Sequence, residues 1–164
     1  MQLFRSSTAI ISTFGRPAPG ADPANCVRRV VCGDMAATLA ALPTAGFDLI
    51  LAGFSLHHFT TAQKAGVLDD AARVLAPGGR LAWTDTHRGD GEPRDMFVDR
   101  LADEIRTTWV EVSADEREAV IAHIREFDHP EPLSWMTAEL AARGLTPVEV
   151  LFRDSIYVAL IAGG

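Results

Sequence analysis

The hydrophobic pattern of the chain is clearest in one apolar run of strand length, which ends in polar residues. Residues 47–52 form the run, and it continues as Gly53-Phe54-Ser55-Leu56-His57-His58-Phe59. An apolar run without alternation is typical of a strand covered on both faces, as in parallel sheets flanked by helices. Because such sheets bind ligands beyond the carboxyl ends of their strands, the residues after this strand are candidates for chemistry. The alternative is an ordinary polar turn.

Residues 27–84 alternate between strand and helix patterns, which predicts a parallel α/β sheet. The predicted elements are strands at 27–32, 47–52 and 80–84, with helices at 35–42 and 60–75. Thr60 and Gln63 form a capping box at the start of the second helix.

Helices and a hairpin are predicted after this unit. Ser113 and Glu116 form a second capping box, which separates a helix at 95–111 from a helix at 113–128. We expect these two helices to pair over the carboxyl ends of the strands. A shorter helix follows at 137–143, and strands at 147–153 and 156–162 predict an antiparallel hairpin.

The amino-terminal residues, 1–26, read as an irregular segment with one strand-like run at 8–14 and a proline-rich loop at 15–23. We expect a division into this segment and an α/β domain at 27–164, with residues 95–128 as a helical insertion.

Composition excludes several classes of function. The 164 residues carry a net charge of −7, which argues against nucleic acids and anionic membranes as partners. No apolar run reaches the ~20 residues that span a bilayer. Cys26 and Cys32 form no CxxC motif, so we expect reduced thiols in a cytoplasmic protein and no metal site.

Three stretches together resemble the class I S-adenosylmethionine (SAM)-dependent methyltransferases. They are Gly33-Asp34-Met35 after a strand, residues 47–50 followed by Leu56-His57-His58-Phe59, and residues 72–81 leading into Asp85. The similarity covers about residues 27–162. It implies an incomplete Rossmann-like α/β sheet with helices on both faces and a terminal antiparallel hairpin.

The resemblance implies SAM as the cofactor and assigns residues to it at the ends of two strands. Asp34 would accept a hydrogen bond from the adenine amino group and Met35 would pack on the ring. The residues assigned to the cofactor are Gly33, Asp34, Met35, Ala52, Gly53 and Phe54. As a bare residue, Asp34 is equally a helix N-cap, and one carboxylate can serve both purposes.

Two features of that family are missing from the 164 residues. One is the glycine-rich ExGxGxG loop after the first strand, and the other is an acid that holds the ribose hydroxyls. Gly15 and Gly20 are separated by Arg-Pro-Ala-Pro, which cannot make the same turn. We therefore expect a truncated or degenerate methyltransferase that binds SAM weakly.

Candidate catalytic residues are His57 and His58, because an imidazole near neutrality can serve an acceptor that must lose a proton. Adjacent residues of an extended segment point in opposite directions, so at most one should face a substrate. A helix-start or packing role is the alternative. The predicted acceptor pocket adds Asp85, His87, Arg88 and Trp109, for which a solvated loop or a core position is the alternative.

The missing first strand should leave the strand at 47–52 with an open edge, which natural proteins avoid. We expect residues 8–14 to cover this edge as a substitute strand, or two chains to pair across it as a homodimer.

Three functions follow from these patterns. The first is a methyltransferase that acts on a small-molecule acceptor. The second is a non-catalytic remnant that acts through dimerisation. The third is a metal-dependent phosphoesterase, because Asp85-Thr86-His87 echoes the DxH motif of the calcineurin-like enzymes, although their further motifs are absent.

Overall fold

The computed structural model describes residues 8–14 and 28–164, with side chains from residue 33 onward. The predicted loop at 15–23 and Cys26 lie outside the described residues. The helices and strands are β1 (Thr8–Phe14), β2 (Arg28–Asp34), α1 (Met35–Ala40), β3 (Phe47–Gly53), a 3₁₀ turn (Leu56–His58), α2 (Thr61–Val74), β4 (Leu75–Arg88), α3 (Arg94–Thr108), α4 (Ala114–Phe127), β5 (Glu131–Pro132), α5 (Leu133–Ala142), β6 (Val148–Arg153) and β7 (Tyr157–Gly163).

The main sheet has the order β3-β4-β7-β6, and β5 pairs with the end of β4. Strands β3 and β4 are parallel, whereas β7 is antiparallel to both β4 and β6. This arrangement confirms the predicted α/β class with an open sheet and a terminal antiparallel hairpin. Both predicted capping boxes are present, at Thr60 with Gln63 and at Ser113 with Glu116.

Strand β4 begins five residues earlier than predicted, at Leu75, because the glycines before Arg80 form an irregularity within the strand. Phe47 pairs with Leu75, and two residues later Leu49 pairs with Arg80. A Cβ on Gly79 would lie 2.8 Å from the carbonyl oxygen of Ala76 and 3.0 Å from that of Phe47. Only glycine allows this close backbone approach, which brings β3 and β4 back into register.

The prediction that the strand at 27–32 lies in the main parallel sheet is wrong. β2 does not join the main sheet; it pairs antiparallel with β1 over seven residues as a separate two-stranded sheet. β1 therefore does not cover the edge of β3 as expected. The physical reason is proximity along the chain, because closing a short connection for antiparallel pairing costs less entropy than a distant parallel pairing.

The prediction that strand 47–52 is covered on both faces is also wrong. Ile50 and Ala52 pack against the main hydrophobic core, which α1, α2 and α5 share with the sheet. The side chains on the opposite face, Leu49 and Leu51, are 51% and 74% exposed. Within residues 8–14 and 28–164, β3 has a hydrogen-bonded neighbour on one side alone, β4.

Helices α3 and α4 pack together around a second cluster of apolar side chains. This cluster is made of Phe97, Val98, Leu101, Ala102, Ile105, Ile121, Ile124 and Ile156. Arg94 at the start of α3 donates to the backbone oxygens of Asp128 (2.7 Å) and Arg125 (2.6 Å) at the end of α4. His123 of α4 contacts His58, just beyond β3, so α4 lies beside the carboxyl end of that strand. That the pair covers the carboxyl ends of the strands stays a prediction. In the described part of the chain, no helix is long and apolar enough to cross a membrane.

Candidate active site at the end of β3

The turn after β3 is fixed by backbone geometry and by two apolar anchors. Phe54 has a φ of +47°, and its backbone N–H donates to the Thr84 carbonyl oxygen at 2.8 Å. Leu56 and Phe59 are buried in the core. Because these residues bracket the 3₁₀ turn, His57 and His58 are held between them at the carboxyl end of the strand.

Asp85 fixes the position of His57. Its carboxylate accepts from the His57 backbone N–H at 3.1 Å and is bonded to the His57 Nδ1 atom. It also accepts from the Trp83 indole N–H and from the Thr86 backbone N–H, each at 3.0 Å. Because a carboxylate can only accept, Nδ1 of His57 carries the hydrogen and the lone pair lies on Nε2.

The pKa of His57 is raised above its ordinary value. Burial lowers the pKa, but the hydrogen bond that the ring donates to Asp85 and the negative charges of Asp85 and Asp128 together outweigh that effect. The electrostatics of the site therefore favour positive charge on or beside this imidazole.

Asp128 at the end of α4 faces both histidines. Its Oδ1 atom lies 3.2 Å from His58 Nδ1, and its Oδ2 atom lies 3.7 Å from His57 Nε2. The contact with His58 lacks hydrogen-bond geometry, so Oδ1 is a buried oxygen with no hydrogen-bond partner among the described residues. The His57 and His58 rings lie 4.0 Å apart, and His123 of α4 contacts His58 edge-on at 5.6 Å.

A buried ion pair holds the segment that carries Asp128. Lys64 of α2 is 1% exposed; it donates to the His129 carbonyl oxygen and, at 3.0 Å, to Oε1 of Glu131. Thr61 donates to the same Glu131 oxygen at 2.7 Å. Burial lowers the pKa of Lys64, and the Glu131 carboxylate opposes that shift. The pair ties residues 129–131 to α2 and thereby orients Asp128.

The structure brings together three of the six predicted catalytic and acceptor-pocket residues, namely His57, His58 and Asp85. His87 instead contacts the Asp154 carbonyl oxygen at 2.9 Å, and Arg88 donates to the carbonyl oxygens of Pro130 and Glu92. Trp109 ends α3 and is 39% exposed. The acceptor roles of these three residues stay predictions. Among the described residues, Asp85 and His87 of the DxH pattern do not meet in a group with metal-ligand spacing.

The predicted cofactor residues lie on two different sheets. Asp34 caps α1 by accepting from Ala37 N–H at 2.8 Å, and Gly33 and Met35 flank it. Ala52 and Gly53 end β3, where a Cβ on Gly53 would meet nothing within 4 Å, and the Phe54 ring contacts Tyr157 edge-on at 5.8 Å. The N-cap reading of Asp34 is confirmed, and its adenine role stays a prediction.

These residues do not fit the whole of SAM. The Asp34 carboxylate and the uncrowded end of β3 at Gly53 suit the adenine part of SAM. Asp34, however, lies at the end of a strand that is not hydrogen-bonded to β3, and the 164 residues contain no ExGxGxG loop for the amino-acid part.

Sequence reasoning missed Asp128, Lys64 and Glu131. Lys64 carries a signal, because it is the only lysine in the sequence and falls on the apolar face of α2, one turn before Val67 and Leu68. Asp128 carries no such signal in the sequence, since polar residues are common at the end of an amphipathic helix, where Asp128 lies.

Comparison with known proteins supports a methyltransferase relationship. Residues 16–83 match the family model described as "Methyltransferase domain". A Synechocystis protein described as an uncharacterized methyltransferase is 33% identical over 73 residues, which are 42% of this chain and 34% of the relative. The predicted resemblance to the class I methyltransferases is confirmed.

Solved methyltransferase structures share the fold at low identity. PigF with SAH is 16% identical with a TM-score of 0.53, and the match covers 80% of this chain and 34% of PigF. An O-methyltransferase family 2 protein from Planctomyces limnophilus, in complex with apigenin, is 18% identical with a TM-score of 0.51, over 76% of this chain and 32% of that protein. The chain thus spans about a third of the length of these methyltransferases.

Proposed function

We propose that this chain carries the acceptor side of a SAM-dependent methyltransferase that acts on a small molecule. The observation that carries the proposal is the ring of His58 at the carboxyl end of β3, backed by the buried His57–Asp85 pair. The complex of the Planctomyces relative with apigenin supports an organic acceptor of moderate size.

Under this proposal the two histidines have different roles. The His58 side chain is 30% exposed, whereas that of His57 is 10% exposed. His58 therefore contacts the acceptor, and Nε2 is the ring nitrogen that can bind it, because Nδ1 faces Asp128. His57 is a positioning residue that Asp85 holds in place. Since methyl transfer depends chiefly on alignment of the acceptor, such a rigid support is what the reaction needs.

We further propose that the isolated 164 residues bind SAM weakly. The adenine-side residues are present, but the glycine loop and the ribose acid are not. Losing two polar anchors at ~1–3 kcal/mol each weakens binding by about one and a half to four orders of magnitude. No catalytic step is therefore assigned to the cofactor on this chain alone.

Self-association through β3 completes the proposal. Among the residues that the structure describes, no strand pairs with the outer edge of β3, which carries two exposed leucines, Leu49 and Leu51. Open apolar edges recruit other strands. Two copies that pair antiparallel through β3 would form a closed, two-fold dimer. A chain that acts only through this dimerisation, without catalysis, is the second candidate function, and the same strand edge supports it.

Backbone NMR on the ¹⁵N-labelled chain tests the cofactor side of the proposal. Millimolar adenosine and millimolar SAM should shift the amide signals of residues 33–35 and 52–54, and both should bind with similar affinity because only the adenine side is anchored. Shifts confined to other positions, or none at all, would overturn the assignment. Methionine alone serves as the control and should cause no shift.

A further inference from the structure

Two imidazoles and one carboxylate converge at the candidate site. His57, His58 and Asp128 each offer one ligand atom, and these atoms all lie within 4.8 Å of one another. We propose that these three residues bind one divalent transition-metal ion of the zinc class. The inference does not rest on methyl transfer, because metal binding can be measured on the chain without cofactor or acceptor.

The distances are close to those of a coordination sphere. Zinc binds imidazole nitrogen at ~2.0–2.1 Å and carboxylate oxygen at ~2.0–2.2 Å, so ligand atoms of a tetrahedral site lie roughly 3.4 Å apart. Asp128 Oδ1 is 3.2 Å from His58 Nδ1, and the other carboxylate oxygen, Oδ2, is 3.7 Å from His57 Nε2. Because the three ligand atoms, one from each residue, lie within 4.8 Å of one another, side-chain rotations would bring them to the spacing of a metal site.

The state of each ligand atom also suits a metal. His57 is bonded to Asp85 through Nδ1, which leaves Nε2 as a lone-pair donor. This is the carboxylate–histidine arrangement that orients metal-bound imidazoles in known sites. Asp128 is 5% exposed, and within the described part of the chain its buried Oδ1 atom has no hydrogen-bond partner. A cation between Asp128 and the two rings would satisfy that oxygen.

Charge and access are consistent with this site. With neutral imidazoles, Asp85 and Asp128 place two negative charges around it, and the partly exposed His58 ring provides a route from solvent. Two imidazoles with one carboxylate suit zinc, iron(II), nickel or cobalt better than magnesium or calcium. Three protein ligands leave at least one coordination position for water or another ligand.

Cobalt(II) titration followed by visible absorption tests the proposal. The protein is the full chain with Cys26→Ser and Cys32→Ser, so that thiols do not compete. We expect saturable binding of one ion per chain. Asp128→Asn and His58→Phe should each weaken binding at least ~10-fold, and Asp85→Asn should weaken it ~10–100-fold by releasing His57. Zinc should displace cobalt and raise the Tm.

The matched control is His123→Phe, which also removes an imidazole beside His58 but lies outside the ligand group; it should titrate like the parent. Absence of saturable binding up to millimolar cobalt would overturn the proposal. Equal affinity in the parent, His58→Phe and Asp128→Asn would also overturn it, since the ion would then bind elsewhere. Circular dichroism identifies any variant that does not fold. If His58→Phe does not fold, the isosteric variant Asp128→Asn provides the test of metal binding.

Discussion

Asp85 accepts hydrogen bonds from both the backbone N–H and the ring of His57, which precedes it by 28 residues. The contact joins the ends of two neighbouring parallel strands, β3 and β4. With Trp83 and Thr86 as further donors, the Asp85 carboxylate accepts four hydrogen bonds and is almost completely buried. Asp85 therefore fixes the orientation of the His57 ring, although the two residues are far apart in the sequence.

Asp85→Asn should lower the free energy of unfolding by about 1–3 kcal/mol, because the amide cannot accept from all four donors and leaves at least one of them buried without a partner. Urea unfolding measures this loss. The control is Asp99→Asn, which removes a surface carboxylate paired with Arg125 and should cost at most about 1 kcal/mol. Equal losses in both variants would show that Asp85 is not a structural support.

Lys64→Met should destabilise the fold by about 3 kcal/mol, because it removes the nearer cationic partner of the buried Glu131 carboxylate, at 3.0 Å, and leaves the more distant Arg88, at 3.7 Å. The double variant Lys64→Met/Glu131→Leu should lose less than the single variant, since both buried charges are then removed and Arg88, which also pairs with Glu131, is partly exposed. A double-mutant cycle in urea gives both values. Arg125→Met, which breaks an exposed pair, should cost much less. A double variant as unstable as the sum of the single ones would contradict this account.

Acid should weaken the link between α3 and the loop after β4 through Glu92. Hydrogen bonds from Arg100 and Gly89 lower the pKa of Glu92, and the positive charges of Arg100 and Arg88 act in the same direction. A carboxyl with a lowered folded pKa contributes stability above its unfolded value of 4.5, and this contribution is lost as the pH falls through the folded pKa.

Glu92→Gln should therefore be less stable than the parent at pH 7, and the difference should shrink as the pH falls below about 4.5. Unfolding curves at several pH values measure this difference. The control for the substitution itself is Glu126→Gln, at an exposed position of α4. A difference that stays constant between pH 7 and pH 3 would contradict the role of Glu92.

The β3 edge should control self-association. Leu51→Lys places a charge on the exposed strand, where a symmetric partner would bring a second one close to it, so the dimer should dissociate. Sedimentation equilibrium measures the association constant. Leu151→Lys makes the same change on β6, at the other edge of the sheet, and should leave the dimer intact. If both variants dissociate the dimer, or if neither does, the dimer does not form through β3.

Much of the fold is predictable because local signals and long-range pairing agree. The capping boxes at Thr60 and Ser113 set the starts of α2 and α4. The turn between the two hairpin strands contains Asp154 and Ser155, which are residue types common in turns. The pairing of β1 with β2 was not predicted, because the sequence pattern does not say which neighbour each strand takes. The exposure of Leu49 and Leu51 was missed for the same reason, since an apolar run does not reveal a face without cover.

The candidate site was predictable only in part. His57 and His58 follow β3, and Asp85 lies near the carboxyl end of the neighbouring parallel strand β4, so their meeting follows from topology. Asp128 reaches the site through the packing of α4 and through the Lys64–Glu131 pair, which depend on side-chain contacts across long sequence separations.

Calorimetric titration of SAM into the 164-residue chain tests the central claim most directly. The claim is that this chain holds the acceptor side of a methyltransferase and only the adenine side of the cofactor site. The account predicts a Kd weaker than about 100 µM for SAM, with adenosine binding almost as well. A low-micromolar Kd for SAM, with much weaker binding of adenosine, would contradict it.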